Sequence, residues 1–299
     1  MTENTATRCG YIAIVGRPNV GKSTLLNRIL EHKISITSHK RQTTRHQILG
    51  IKTTGNIQAI YVDTPGIHRN KAGIMNRYLN KAAVAALEGV DAVIFVIQAL
   101  TWTDEDEQIA ELLTNQDRPV IVAINKADKI KPREKLLPYL QELSGKLTFD
   151  EMIPISARDG TNVAELELVI QKMLPESEFQ FPEDQLTDRS ERFLAAEVIR
   201  EKITRNLSQE LPYAVVVEIE SFKERQNLIE IHAVIWVEKE SQKKIIIGKQ
   251  GSKLKEIGEK ARHDLEKWFD SKILLKTWVK VREDWSDDAN ALRSFGYEP

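Results

Sequence analysis

Residues 11–30 read YIAIVGRPNVGKSTLLNRIL, and this stretch decides the fold of the first half of the chain. Tyr11 to Val15 is an unbroken apolar run, as expected of a strand covered on both faces. Gly16-Arg17-Pro18-Asn19-Val20-Gly21-Lys22-Ser23 then fits GxxxxGK[ST]. Residues 22–30 resume apolar positions at helical spacing. Strand, glycine loop and helix in that order are the setting of a phosphate-binding loop. Glycines allow backbone N–H groups to turn inward on phosphate oxygens. The helix N-terminus adds partial positive charge. Lys22 can reach the β- and γ-phosphates and Ser23 can ligate Mg²⁺, with Thr24 next in the first turn.

Outward from that loop, strands are expected at 58–62, 92–97, 120–124 and 152–155, and helices at 22–30, 72–88, 104–114, 132–144 and 161–173. Strict alternation predicts an α/β, doubly wound domain with a mostly parallel sheet over 1–174. Residues 175–189 hold two prolines and many acids without periodicity, which predicts a linker. After it, Phe193, Ala196, Ile199, Ile203 and Leu207 trace a helix with one apolar stripe. Strands are expected at 213–221, 228–237 and 273–282, a basic glycine loop after the second, and a helix over 252–268. The order α-β-β-α-β predicts a second, α+β domain over 190–299.

Three further motifs stand at strand ends. Asn125-Lys126-Ala127-Asp128 offers a carboxylate, Asp128, that can accept the adjacent N1–H and N2–H of guanine. Adenine presents an acceptor at N1 and would leave that carboxylate unpaired. Asp63-Thr64-Pro65-Gly66 suits a γ-phosphate sensor, with Asp63 on Mg²⁺ through water and the Gly66 N–H on the phosphate. In Gln42-Thr43-Thr44-Arg45, one threonine is expected to close on Mg²⁺ and phosphate. Spacing leaves Thr43 and Thr44 open, with a lean to Thr44. Ser156-Ala157 is expected to meet guanine through its backbone. The catalytic set is then Lys22, Thr44 and Gly66, and the substrate and product are GTP and GDP. The competing class, a metabolic nucleotide kinase, is disfavoured by the guanine-reading motif and by the lack of a phosphoacceptor lid.

A second signature is Ile247-Gly248-Lys249-Gln250-Gly251. Residues 239–282 carry 13 Lys and Arg against 6 Asp and Glu, and 243–255 hold five lysines and no acid. A charge run alone is usually a solvated face. A GxxG loop within it, before a helix, suits a KH clamp on single-stranded RNA. Lys243, Lys244, Lys253 and Lys255 are then phosphate contacts, which supply affinity more than sequence choice.

Composition sets bounds. The chain has 299 residues, 41% hydrophobic and 29% charged, with net charge −1, which suits a soluble protein of about two domains. No apolar run reaches the roughly 18 residues of a membrane span. The first ten residues are polar, lack the core of a secretion signal and read as a frayed end. The single cysteine, Cys9, cannot form an internal disulfide and fits a reducing cytosol. Trp102 and Trp285 read as packing residues, His39, His46 and His68 as loop residues, and the Asp104–Glu107 and Asp287–Asp288 acids as helix starts.

Taken together, GRPNVGKSTLLN, QTTRH, YVDTPGIH, FPEDQLTDRS, ELPYAVVVEIE and ALRSFGY resemble the Era-like family of translation-factor-related GTPases with a C-terminal, type II KH domain. The resemblance implies a GTPase that binds the 3′ end of 16S ribosomal RNA during assembly of the small (30S) subunit. It also implies a monomeric, cytoplasmic protein with peripheral contact to the inner membrane. Ile67 stands where Ras-like proteins carry a water-orienting Gln, which implies slow intrinsic hydrolysis. The family's apolar residue here goes with potassium held at the Asn19 position. An RNA-binding protein with a mainly structural nucleotide site is the remaining alternative.

Overall fold

The computed structural model describes residues 6–38, 40, 43–67, 73–114, 117–146, 149–207 and 215–297. Gln42, His39, His68 and, within the ranges above, residues 72 and 210–214 lie outside them. The chain divides into two compact units. Unit 1 takes the described residues of Met1–Ser35, Thr44–Lys71 and Leu79–Asp188. Unit 2 takes those of Ile36–Thr43, Ala72–Tyr78 and Arg189–Pro299.

In unit 1, β1 (Arg8–Val15), β2 (Ile48–Thr54), β3 (Ile57–Asp63), β4 (Ala92–Gln98), β5 (Val120–Asn125) and β6 (Glu151–Pro154) form one sheet. Its order is β2-β3-β1-β4-β5-β6. All pairs are parallel except β2 with β3. The helices are α1 (Lys22–Leu30), α2 (Ile74–Ala85, of which residues 79–85 fall in this unit), α3 (Asp104–Thr114), α4 (Leu136–Ser144) and α5 (Val163–Met173). β5 is buried throughout and β4 in all but its last residue, because helices cover the sheet on both sides. Val15, Phe95, Ile97 and Ile124 pack with Ala83 of α2, Ile109 of α3 and Leu143 of α4. Ile12, Ile14 and Ile94, one position out of step, are also fully buried and face the opposite side.

Three local expectations change. β1 starts at Arg8 rather than Tyr11, so the polar stretch read as a frayed end includes three sheet residues. Pairing explains this: Arg8, Cys9 and Gly10 lie opposite Ile57, Gln58 and Ala59. β2 was not foreseen. It is a sheet edge whose burial follows no single period, and its signal is the turn Thr54-Gly55-Asn56 that joins it to β3. Residues 175–188, expected as a linker, run along unit 1. Ile51 N–H donates to Leu186 O at 2.9 Å, and Phe179 and Phe181 pack on Cys9, Ile51 and Ile60. Gln58, fully buried, accepts from the N–H groups of Gln180 (2.9 Å) and Phe181 (3.0 Å). The acidic residues gave the segment a linker's composition, while two phenylalanines and one buried amide hold it down.

In unit 2, α6 (Glu191–Asn206) precedes β7 (Val215–Arg225), β8 (Leu228–Val237), α7 (Glu240–Ile247), α8 (Ser252–Phe269), β9 (Lys272–Val281) and α9 (Ala289–Ser294). β7 pairs antiparallel with β8, and β8 parallel with β9. The order is therefore α-β-β-α-α-β-α: α7 is a helix more than expected before β9, and α9 follows it. Ile245 to Ile247, three β-branched residues before the basic glycine loop, end α7. Gln242 Oε1 caps its start, accepting from Glu238 N–H (2.8 Å) and Lys239 N–H (3.1 Å), and Ile246 is fully buried. Tertiary burial overrides β-branched propensity here.

α6 has more than one covered face. Beside its apolar stripe, Glu197, Arg200, Glu201, Lys202 and Thr204 are buried too. Glu201 accepts from Thr37 N–H at 2.9 Å, Arg205 Nε donates to Thr37 O at 3.0 Å, and Arg200 donates to Thr43 O. Thr37 and Thr43 are thus held to α6 by hydrogen bonds between their backbone groups and its charged side chains. Trp285 is fully buried and meets Phe295 edge-on. Asp288 caps α9, accepting from Asn290 N–H at 2.9 Å.

Candidate nucleotide site and candidate nucleic-acid surface

The loop after β1 turns on Gly16, whose φ of 153° brings its backbone against β4. A Cβ there would lie 2.4 Å from Val96 O. Lys22, at the start of α1, folds back over the loop: its Nζ donates to Gly16 O at 2.8 Å and Arg17 O at 3.1 Å. Burial lowers its pKa to about 8, since a charged amine is poorly solvated there and the nearby Asp63 carboxylate offsets only part of that cost. Thr24 is half-buried and Pro18 and Val20 are buried, while Asn19 is exposed with left-handed backbone at φ 64°.

Four side chains converge beside Lys22. Ser23 Oγ donates to Asp63 Oδ2 at 2.9 Å and lies 2.8 Å from Thr44 Oγ1. Ser35 Oγ donates to the same Asp63 oxygen at 2.7 Å. Of the two threonines left open, Thr44 joins this cluster, and Thr43 donates its hydroxyl to Lys40 O at 2.7 Å. Burial pushes the Asp63 carboxyl up. Its Oδ1 is buried and has no partner among the described residues. Ser35 was missed by sequence reading. Asn27 Oδ1 places it by accepting from the N–H groups of Ile34 (3.0 Å) and Ser35 (2.9 Å).

The rest of the Asp63–Gly66 motif has different neighbours. Thr64 Oγ1 donates to Ile14 O at 2.8 Å, so this hydroxyl braces β1. Gly66 lies against Pro18, where a Cβ would be 2.9 Å from the Pro18 nitrogen. Ile67 is buried in the core with Val15 and Ala83. Packing thus accounts for an apolar residue at this position.

Asn125 and Lys126 brace the phosphate loop. Asn125 Nδ2 donates to Val20 O at 2.7 Å and its Oδ1 accepts from Ala157 N–H at 2.9 Å. Lys126 Nζ donates to Asn19 O at 2.8 Å and Gln98 Oε1 at 2.7 Å. Burial lowers its pKa. Asp128 accepts from Ser156 Oγ at 2.9 Å and from the Arg158 guanidinium at 3.2 Å. Asp106, expected only as a dipole-complementing acid, is fully buried and takes Arg17 Nε at 2.9 Å. Nothing in the local spacing of either residue signals this pair.

Among the described residues no three His, Cys, Asp or Glu side chains cluster as a metal cage. Two hydroxyls and one carboxylate with an unpaired oxygen suit Mg²⁺, which keeps several positions for water and substrate phosphate.

In unit 2 the tract Gly248–Gly251 makes the turn between α7 and α8. Gly251 sits at φ 78° with open space where a Cβ would stand. Lys244, Lys249, Gln250 and Lys255 are exposed, and Lys243, Ile247 and Lys253 half-buried. Lys243 lies 3.6 Å from Glu240. The other lysines stand around a turn that opens α8.

Comparison with known proteins gives concordant matches. A family model described as 50S ribosome-binding GTPase matches residues 11–126, and one described as KH domain matches 210–286. GTPase Era of Pseudomonas syringae pv. tomato is 58% identical over 297 residues, covering 99% of both chains. GTPase Era of Azotobacter vinelandii is 57% identical over the same length and coverage. A crystal structure of Era with MgGDPNP and nucleotides 1506–1542 of 16S ribosomal RNA superposes with TM-score 0.93 at 43% identity, covering 98% of this chain and 100% of that one. An Aquifex aeolicus Era variant bound to GDP and AlF4⁻ gives 0.94 at 42%, with the same coverage.

Proposed function

The chain belongs to the Era family of GTPases, and from that premise we propose that it is a Mg²⁺-dependent GTP switch that binds the 3′ end of 16S ribosomal RNA and assists assembly of the small ribosomal subunit. The observation that carries the nucleotide half is the Ser23–Thr44–Asp63 cluster beside the buried amine of Lys22.

Lys22 exchanges its two loop carbonyls for β- and γ-phosphate oxygens. That exchange returns a full counter-charge to a buried ammonium. The N–H groups of the loop and the first turn of α1 take the remaining phosphate oxygens. Ser23, Thr44 and Asp63 would hold Mg²⁺, which when bound would supply positive charge to the β- and γ-phosphates. Asp128 accepts the guanine N1–H and N2–H. Ile67 lacks a polar atom and is committed to the core, so no side chain at that position orients the attacking water. Intrinsic hydrolysis is therefore slow. Asn19, exposed on its left-handed backbone beside the phosphates, is the residue suited to hold potassium, whose charge would act there as an arginine finger does.

On unit 2, the Gly248–Gly251 turn clamps RNA backbone and Lys244, Lys249, Lys253 and Lys255 neutralise phosphates. The RNA complex of the 43%-identical Era structure supports the choice of rRNA as ligand. Thr37 and Thr43 lie along the chain between Ser35 and Thr44, and their backbone groups bond to α6. This supports a switch in which the nucleotide state is felt by the RNA-binding unit. The family resemblance favours a cytoplasmic monomer with peripheral inner-membrane contact. Among the described residues no helix is long and apolar enough to cross a membrane.

The test is GTP hydrolysis with and without single-stranded RNA matching the 16S 3′ end, in potassium and in sodium buffers, alongside RNA affinity with GDP and a non-hydrolysable GTP analogue. Stimulation by RNA and a nucleotide-dependent RNA affinity are expected. Equal RNA affinity in both nucleotide states would remove the coupling. GTP binding without hydrolysis in any condition would leave an RNA-binding protein with a structural nucleotide site.

A further inference from the structure

We propose that Arg28 is a positioning residue for guanine recognition, holding the 156–160 loop so that the Arg158 backbone N–H faces O6 of the base. This rests on the assignment of Asn125–Asp128 as the guanine site.

The loop's donors can be accounted for one by one. Ser156 N–H goes to Thr161 O at 3.1 Å and Gly160 N–H to Ser156 O at 2.7 Å. Ala157 N–H goes to Asn125 Oδ1 at 2.9 Å, and Asp159 N–H to Ser156 Oγ at 3.3 Å. The Arg158 N–H alone donates to no acceptor among the described residues. In a planar trans peptide the N–H points opposite to the carbonyl of the preceding residue. Whatever grips the Ala157 carbonyl therefore aims the Arg158 N–H.

Arg28 provides that grip. Its Nε donates to Ala157 O at 3.3 Å and its terminal nitrogen donates to Arg158 O. A planar guanidinium holds two successive carbonyls with donors in a fixed fork, which sets their orientation more tightly than the rotating donors of an ammonium. Arg28 stands in the last turn of α1, whose first turn opens from the phosphate loop. One short helix thus ties the base-reading loop to the phosphate-reading loop. The chemistry adds to that of Asp128. Guanine presents an acceptor at O6, where adenine presents an amino donor that would oppose the Arg158 N–H.

The experiment measures affinity of the full chain, with Mg²⁺, for GDP, IDP and 6-thio-GDP. IDP keeps O6 and loses the amine read by Asp128. The thione of 6-thio-GDP keeps N1–H and the amine but is a weaker acceptor at position 6. Arg28→Ala is expected to weaken GDP and IDP together, by about tenfold, and 6-thio-GDP by about twofold. The preference for oxygen over sulfur then collapses while the GDP-to-IDP ratio holds. Arg28→Lys should fall between wild type and Arg28→Ala, and it carries the test if the alanine variant fails to fold. Equal weakening of all three nucleotides, or of none, overturns the proposal. Asp128→Asn separates the two levels: loss of GDP with gain of XDP upholds the guanine site, and failure of Arg28→Ala then condemns this inference alone. Unchanged GDP affinity in Asp128→Asn would sink the site assignment and this proposal with it.

Discussion

The loops Gly16–Ser23 and Gly248–Gly251 are built from the same parts and work in opposite surroundings. Each uses glycine to open a helix, α1 or α8, and each carries a lysine. The first is enclosed: Gly16 leaves no room for a Cβ beside β4, and Lys22 is buried with its pKa lowered to about 8. The second is open at its far end: Gly248 abuts Lys253, but Gly251 has nothing within 4 Å of a Cβ position, and Lys249 is exposed. An enclosed loop fixes its donors in advance and recognises one compact polyphosphate. An open loop offers charge to a polymer backbone and leaves selection to its surroundings. The same motif grammar therefore has different energetic stakes.

The comparison can be strained from the large end. Lys22→Ala should reduce GTP affinity roughly a thousandfold, about 4 kcal/mol, because two charge-assisted bonds to phosphate disappear from a buried site. Isothermal titration with GTP and Mg²⁺ measures this, and a loss below about tenfold would mean that Lys22 is not enclosed with the phosphates. Gly16→Ala should destabilise the fold by about 3 kcal/mol in urea denaturation, since a strained φ and a backbone overlap act together. The matching change in the open loop, Gly251→Ala, should cost only about 1 kcal/mol, from backbone strain alone. Equal destabilisation by the two would erase the enclosed-versus-open distinction. Lys249→Ala is expected to weaken single-stranded RNA by about threefold and to make the salt dependence shallower by about 0.7 of a log unit per log unit. A sequence-dependent loss instead would make Lys249 a base reader.

The parallel core and both glycine loops were legible because their signals are local. Val120 to Asn125 is apolar at every position before its final Asn, and such a run is a buried strand whatever its neighbours. The same locality left α7 unseen at Ile245 to Ile247, because three β-branched residues before the glycine loop carry no helical signal. Ile246 is anchored against the α7–α8 core, and a cap from Gln242 starts a helix six residues earlier. Acidic composition hid the strap at 175–188, since Phe179 and Phe181 mean little until Cys9 and Ile60 lie beneath them. The choice between Thr43 and Thr44 had no local solution. Adjacent residues share a spacing, and only the position of Ser23 Oγ separates them.

The sequence by itself determined the element periods, the phosphate and guanine motifs, and the presence of two domain types, because periodicity and turn chemistry act within a few residues. Tertiary structure alone decided which partners meet across the chain. Asp106 with Arg17 lies 89 positions apart, Arg28 with Ala157 129 apart, and Thr37 with Glu201 164 apart. Such pairs form where packing excludes water and leaves each polar group one acceptable partner. That selection acts on positions in space, and no local pattern in the chain encodes it.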